Sequence, residues 1–335
     1  MKKNSLDSLR LLAALMVLYS HQYALLGLAE PWFLGLKTFG TAGVSIFFFL
    51  SGFLVWTSWA RDPNARRFFQ RRSLRIFPAL WVVTLASVFL LGPAASSLSV
   101  GDYFAAPATW RYLQTLVLVS PNTLPGIFLG NPMPTVVNGS LWTLPVEFLC
   151  YVSVALVGIV MAIVKAPRAL TIVGALLGVG VLASFGGRLM GHRFAPHLEM
   201  VALFWWGVLY GYCRQTNPGR LTVVLSAIAF IGFAWFGSHG LKGAGMLVCA
   251  ATMVHVAMNL PHGAKWSSRL GDLSYGVYIF AFPVQQLGVH WARQQNWSFA
   301  ASLFLSATVT LSLAYASWHL VEKWALRFKP GSVPA

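Results

Sequence analysis

The chain has 335 residues, of which 57% are hydrophobic and only 10% are charged. Soluble domains carry about 25% charged residues, so this chain cannot cover a water-facing surface and lipid is expected to be its main solvent. A formal net charge of +16 would suit nucleic acid, but the basic residues gather at the ends of apolar runs, where membrane topology accounts for them.

An apolar run of about 20 residues crosses a hydrocarbon core roughly 30 Å thick as a helix. Such runs occur at 8–28, 38–59, 76–93, 140–164, 169–187, 196–213, 220–238, 241–260, 273–292 and 298–322. None alternates with the period of two that a membrane barrel needs. The expected fold class is all-α: a polytopic bundle of about ten transmembrane helices, forming one domain with no appended soluble domain. The run after Lys2 and Lys3 is long enough to span and lacks a small-residue cleavage site, so it reads as helix one rather than a signal peptide. With the N-terminus in the cytosol, 18 of the 24 Lys and Arg fall at cytosolic ends. Only Lys37, Arg111, Arg188, Arg193, Lys242 and Arg293 fall outside. This asymmetry puts both termini in the cytosol. Cys150, Cys213 and Cys249 lie inside spans, match no metal spacing and read as small apolar filler.

The first span carries Arg10 near its start and His21 eleven residues later. Eleven steps of ~100° come within ~20° of three turns, so the two share one face, about 16 Å apart. Next comes a very basic stretch, 60–75, read as a cytosolic loop. Its end, Arg71-Arg72-Ser73-Leu74-Arg75, uses Arg only. Arg binds phosphate bidentately, and Arg72 and Arg75 are three apart, hence neighbours on a helix face. Anchoring at the membrane surface explains part of this cluster; a polyphosphate ligand or lipid headgroups would use the rest.

The longest non-spanning stretch, 94–139, is expected outside and is rich in Pro and Gly. Its apolar piece 112–119 is too short to span and is expected to lie along the interface or dip in. Glu147 is the one carboxylate well inside a span. At 1.5 Å per residue, His21 and Glu147 both come out ~10 Å below the outer edge. An ionisable residue in a span is costly and marks a candidate site, although a lone His or Glu also serves as a packed hydrogen-bonding partner.

At these residues the sequence resembles the acyltransferase 3 family of membrane O-acyltransferases. The resemblance rests on Leu6-Asp7-Ser8-Leu9-Arg10 followed by His21, on Gly43 to Phe53, and on Arg72-Ser73-Leu74-Arg75-Ile76-Phe77-Pro78. Ser140-Leu141-Trp142-Thr143-Leu144-Pro145-Val146-Glu147, Ser274-Tyr275-Gly276-Val277-Tyr278 and Val321-Glu322-Lys323 complete it in the right order. One departure is Ala281, where many members carry His.

The resemblance implies transfer of an acyl group, usually acetyl, from acyl-CoA as co-substrate to a sugar hydroxyl of an exported glycan or glycolipid, with no permanently bound cofactor. It implies a bacterial cytoplasmic membrane. His21 and Glu147 are then the expected catalytic pair, His21 as general base or covalent carrier and Glu147 orienting it. Arg72 and Arg75, helped by Arg71 or Arg67, are expected to hold the phosphates, with Arg10 along the path of the thioester. Ser140, Trp142 and Tyr278 are expected to contact substrate. The polar residues alone also suit a transporter or flippase, though no repeated halves are visible. Acceptor, chain length and any homo-oligomer stay open.

Overall fold

A computed structural model of the chain describes residues 5–164, 195–216, 242–259 and 271–331. The expected spans 169–187 and 220–238 lie outside these residues. What is described is mostly helical, with one two-stranded hairpin, Trp32–Phe33 against Lys37–Thr38, in the register Trp32 to Thr38, and an irregular stretch over 118–138.

Helix α1 runs Leu6–Leu25 and α2 runs Phe39–Arg61. Thr38 caps α2 by accepting the Thr41 N–H, and Pro63 stops it two residues beyond its last turn. Asn64 accepts the Arg67 N–H and starts α3, Ala65–Ala86. The basic stretch read as a loop is therefore mostly helix: from Ala65 onward it forms the first three turns of α3. The capping Asn overrides the charge density, and Arg67, Arg71 and Arg75 point sideways into ion pairs. A π-helical turn, Ser87–Leu91, carries the helix on to Ala95.

Two short helices follow, α4 at Val100–Ala105 and α5 at Pro107–Arg111, then a 3-10 segment, Tyr112–Val117. The piece expected at the interface is this 3-10 turn, held by buried Tyr112 and Thr115 and closed by Leu118 in a left-handed conformation. Residues 96–138 close over one end of the bundle, with Tyr103, Tyr112, Ile127, Phe128 and Val137 buried together.

A 3-10 turn, Gly139–Trp142, leads into α6, Thr143–Val164. Helix α7 runs Ala195–Thr216, α8 covers 242–259, α9 runs Ser274–Gln295 and α10 runs Phe299–Ser317. A second π-helical turn, Trp318–Glu322, extends α10.

Among the described residues, Phe39–Arg61, Ala65–Ala95, Gly139–Ile163 and Phe299–Phe328 are long and apolar enough to cross a membrane. Helices α1 and α9 have the length but carry more polar side chains, because they face each other across the core through Gln22, Gln285 and Arg10. Helices α2 and α7 cross in backbone contact: a Cβ on Gly52 would lie 1.8 Å from the Phe204 carbonyl oxygen, and one on Gly207 1.9 Å from that of Phe49. Such close crossings are how helices associate where lipid gives no hydrophobic drive.

Candidate active site

Most of the ion pairs among the described residues collect at one end of the bundle, the arginine end; the buried Lys37–Glu199 pair lies at the other. Asp272 sits just before α9, where its carboxylate accepts the Ser274 N–H and hydroxyl and faces the positive end of the helix dipole. Its other oxygen accepts Arg75 Nη2 at 2.7 Å and Arg10 Nη1 at 3.2 Å. Arg10 also lies 3.5 Å from Asp7. Burial alone would raise the Asp272 carboxyl, but Arg75, Arg10 and the two Ser274 hydrogen bonds outweigh it and hold the group at about 2. Arg75 further approaches Glu322 at 3.6 Å and stacks over the Tyr275 ring, whose hydroxyl donates to the Ile76 carbonyl.

Arg72 differs from both. Among the described residues it makes no ion pair with a carboxylate, and its buried Nε has no hydrogen-bond partner. Its guanidinium lies 5.7 Å from the Phe68 and Tyr151 ring centroids. Arg71 turns elsewhere: with Arg67 it grips Asp62, at 2.7 Å and 2.5 Å. Those hydrogen bonds hold the Asp62 carboxyl well below the usual carboxylate range.

From Arg10, Arg72 and Arg75 a narrow cavity of about 80 Å³ runs inward past Glu147 and Tyr151 to Tyr278. Glu147 accepts hydrogen bonds from Ser51 at 2.7 Å and from Tyr151 at 2.6 Å. Further along, the Tyr278 hydroxyl meets Thr143 at 2.7 Å and donates to the Ser140 carbonyl at 3.0 Å. Asn138 locks this turn by donating to the Ile279 carbonyl. Ser140 itself is buried with an unpartnered hydroxyl. Trp142 packs edge-on against His197 and does not line the cavity.

His21 stands beyond Tyr278. Its ring packs edge-on to Phe282 at 5.2 Å, and its buried Nδ1 has no hydrogen-bond partner. Gly139 leaves room for Phe282 there: a Cβ would come within 2.8 Å of the ring. Arg10 and His21 therefore do share a face, and it is the face that meets α9. The expected equal depth of His21 and Glu147 is not found. Glu147 bonds Ser51 and Tyr151 in the cavity that opens at the arginines, whereas His21 packs on Phe282 and is not among the residues lining that cavity. Helix tilt and the 3-10 entry to α6 make the difference.

Sequence reasoning missed Ser51, Tyr151 and the two carboxylates on Arg75. Tyr151 was legible as the residue four positions after Glu147. Lys329 lies past the last span. Its ammonium, partly stripped of water and facing Arg75, Arg72 and Arg10, is brought down to about 8.

The acyltransferase domain family of type 3 matches residues 3–319. This chain belongs to that family. The acyltransferase is 32% identical over 342 residues to an O-acetyl transferase of Shigella phage Sf6, an alignment covering 99% of this chain and 98% of the relative. It is 30% identical to nodulation protein 10 of Rhizobium leguminosarum bv. viciae, over 99% and 95% of the two chains. The peptidoglycan O-acetyltransferase OatA of Listeria monocytogenes is 26% identical, over 84% of this chain and 49% of its own. No solved structure matches. Ala281, the family departure, is buried with Ala14 and Leu18, so here the position packs α9 onto α1.

Proposed function

We propose that this acyltransferase moves an acyl group, acetyl in the first instance, from cytosolic acyl-CoA to a sugar hydroxyl of an exported glycan or glycolipid. It does so from ten crossings of a bacterial cytoplasmic membrane, with both termini in the cytosol. The two relatives named O-acetyl transferase and peptidoglycan O-acetyltransferase support the reaction type. The observation that carries the donor reading is Arg72, a guanidinium without a carboxylate at the mouth of a cavity that leads toward His21. A cation kept that way suits a phosphate ligand.

The phosphates of the donor bind Arg72 and Arg10, with Arg75 held in place by Asp272 and Glu322. The thioester arm threads past Glu147 and Tyr151 to Tyr278. His21 removes the proton of the acceptor hydroxyl as its oxygen attacks the thioester carbonyl carbon. The C–S bond breaks, and the thiolate leaves toward the arginine end and takes up a proton there. Glu147, bonded to Ser51 and Tyr151, fixes the channel wall rather than orienting the imidazole.

Purified protein in liposomes, given radiolabelled acetyl-CoA and host glycan, tests this. His21→Ala lowers transfer on the order of 100-fold or more, and Arg72→Ala weakens coenzyme A binding about tenfold. Full activity of folded His21→Ala protein overturns the catalytic assignment. Glycan movement without thioester consumption means a transporter.

A further inference from the structure

A second, larger cavity lies on the far side of α9. It is a groove of about 540 Å³ between α3, α9 and α10, open along its side. Phe280, Val284, Leu287 and Trp291 of α9 face it, whereas Tyr278 and Phe282 face the candidate site. The two π-helical turns found among the described residues both line it, at opposite ends. Leu90 and Leu91 belong to the turn in α3, at the end covered by residues 96–138; Leu320 and Val321 belong to the turn in α10, at the arginine end. π-Helical turns inside α-helices concentrate at functional sites.

The dimensions select the occupant. Lining residues on α10 extend from Leu305 to Val321, a length of ~24 Å. The centres of water-sized spheres fill about 540 Å³ of the groove, a track roughly 5 Å across over that length, so with a sphere radius of ~1.4 Å on each side the slot is roughly 8 Å across. Carbon atoms pack at about 4 Å, so one or two hydrocarbon chains fit, while a helix ~10 Å wide does not. The walls are almost wholly apolar: the Ser87 and Ser317 hydroxyls are spent on Val83 and Glu322, and the third lining serine, Ser306, has a buried hydroxyl without a hydrogen-bond partner. The groove's covered end comes within one helix width of His21, around α9.

We propose that this groove holds the hydrocarbon tail of a lipid-anchored acceptor, which rests on the proposed acyl transfer. The tail lies along α10, the head emerges at the covered end, and the sugar bends over α9 to His21. The donor enters from the opposite end of the bundle.

The test uses Val309→Trp and Leu313→Trp. Both side chains line the groove and are 38% and 40% exposed, so a larger ring fills the slot without disturbing the core. Acceptors are the host's lipid-linked oligosaccharide and the same oligosaccharide after release of its lipid. Wild type should favour the lipid-linked form in kcat/KM. The variants should lose roughly tenfold on that form, the effect of two methylenes forced out of an apolar slot, and nothing on the released sugar. An unchanged preference, or an equal loss on both acceptors, overturns the proposal. A photoreactive isoprenoid glycolipid, competed with unlabelled phospholipid, should label α10 in wild type alone. Labelling abolished by phospholipid means a general lipid crevice, and overturns the proposal whether or not transfer is seen. Labelling that survives when wild type transfers to neither acceptor leaves the groove and removes the reaction.

Discussion

The two ends of the bundle are held by different chemistry. At the arginine end, Arg10 and Arg75 share Asp272, Arg75 also meets Glu322, and Arg67 and Arg71 share Asp62. At the covered end one buried ion pair, Lys37 with Glu199, stands beside a network of neutral amides. Gln285 donates to Gln22 and to the Leu18 carbonyl, and Gln22 donates to Ser302. Gln286 donates to the Met133 and Val136 carbonyls, and Asn131 donates to Gln286. Both strategies pair most of their buried polar groups, leaving Gln285 Oε1 and Asn131 Oδ1 without partners at the covered end, but they respond differently to change. A buried charge that loses its partner is a large penalty; a buried amide that loses one costs only its desolvation. The charged end also changes with pH, while amides do not titrate. The chain thus keeps most of its ion pairs where a phosphate-bearing donor is proposed to enter, and holds the acceptor side together mainly through amides, with Lys37–Glu199 as its buried ion pair.

The sharpest way to break this contrast is Asp272→Asn. Arg10 and Arg75 are then left buried beside each other, and the folded state should lose about 3–5 kcal/mol, read as thermal unfolding in detergent. The unmutated protein should be more sensitive to acid than the amide network predicts. The Asp272 carboxyl, ordinarily near 3.8, is held at about 2 when folded. A depressed carboxyl stabilises above its unfolded value and stops doing so as pH falls through its folded value. On the order of 2 kcal/mol should therefore be lost between about pH 4 and pH 2, and Asp272→Asn should abolish that slope. At the other end, Asn131→Ala should cost about 1–3 kcal/mol, equally at pH 5 and pH 8. A pH-dependent loss there would erase the distinction. The smallest effect is at Lys329, whose ammonium is brought down to about 8. Donor binding should weaken a few-fold as pH rises through about 8 and this charge is lost, by roughly 1 kcal/mol. Lys329→Met should flatten that dependence in a coenzyme A titration.

Much of the arginine end was legible from sequence. The eleven-residue spacing of Arg10 and His21 put them on one face, and both do meet α9. The Arg72 and Arg75 pair was visible as a helical neighbour pair, but their unequal roles were not. Whether a guanidinium is paired depends on Asp272 and Glu322, roughly 200 and 250 residues away and invisible to a local pattern. Equal depth for His21 and Glu147 failed for a similar reason: counting residues fixes position along a helix, not the tilt between two helices. The covered end was least legible. Leu118, Phe128 and Thr135 all have positive φ, conformations that no residue type there announces.

By itself the sequence determined that this is an all-helical chain for lipid, belonging to the acyltransferase 3 family, with its cations at helix ends. Periodicity and composition act locally, so they survive without knowledge of the partners. Only the tertiary structure decided which arginine stays without a carboxylate, that Glu147 answers to Ser51 and Tyr151, and that α9 divides a polar channel from an apolar groove. Those depend on which faces of distant helices meet, and helix packing fixes that only once the chain is folded.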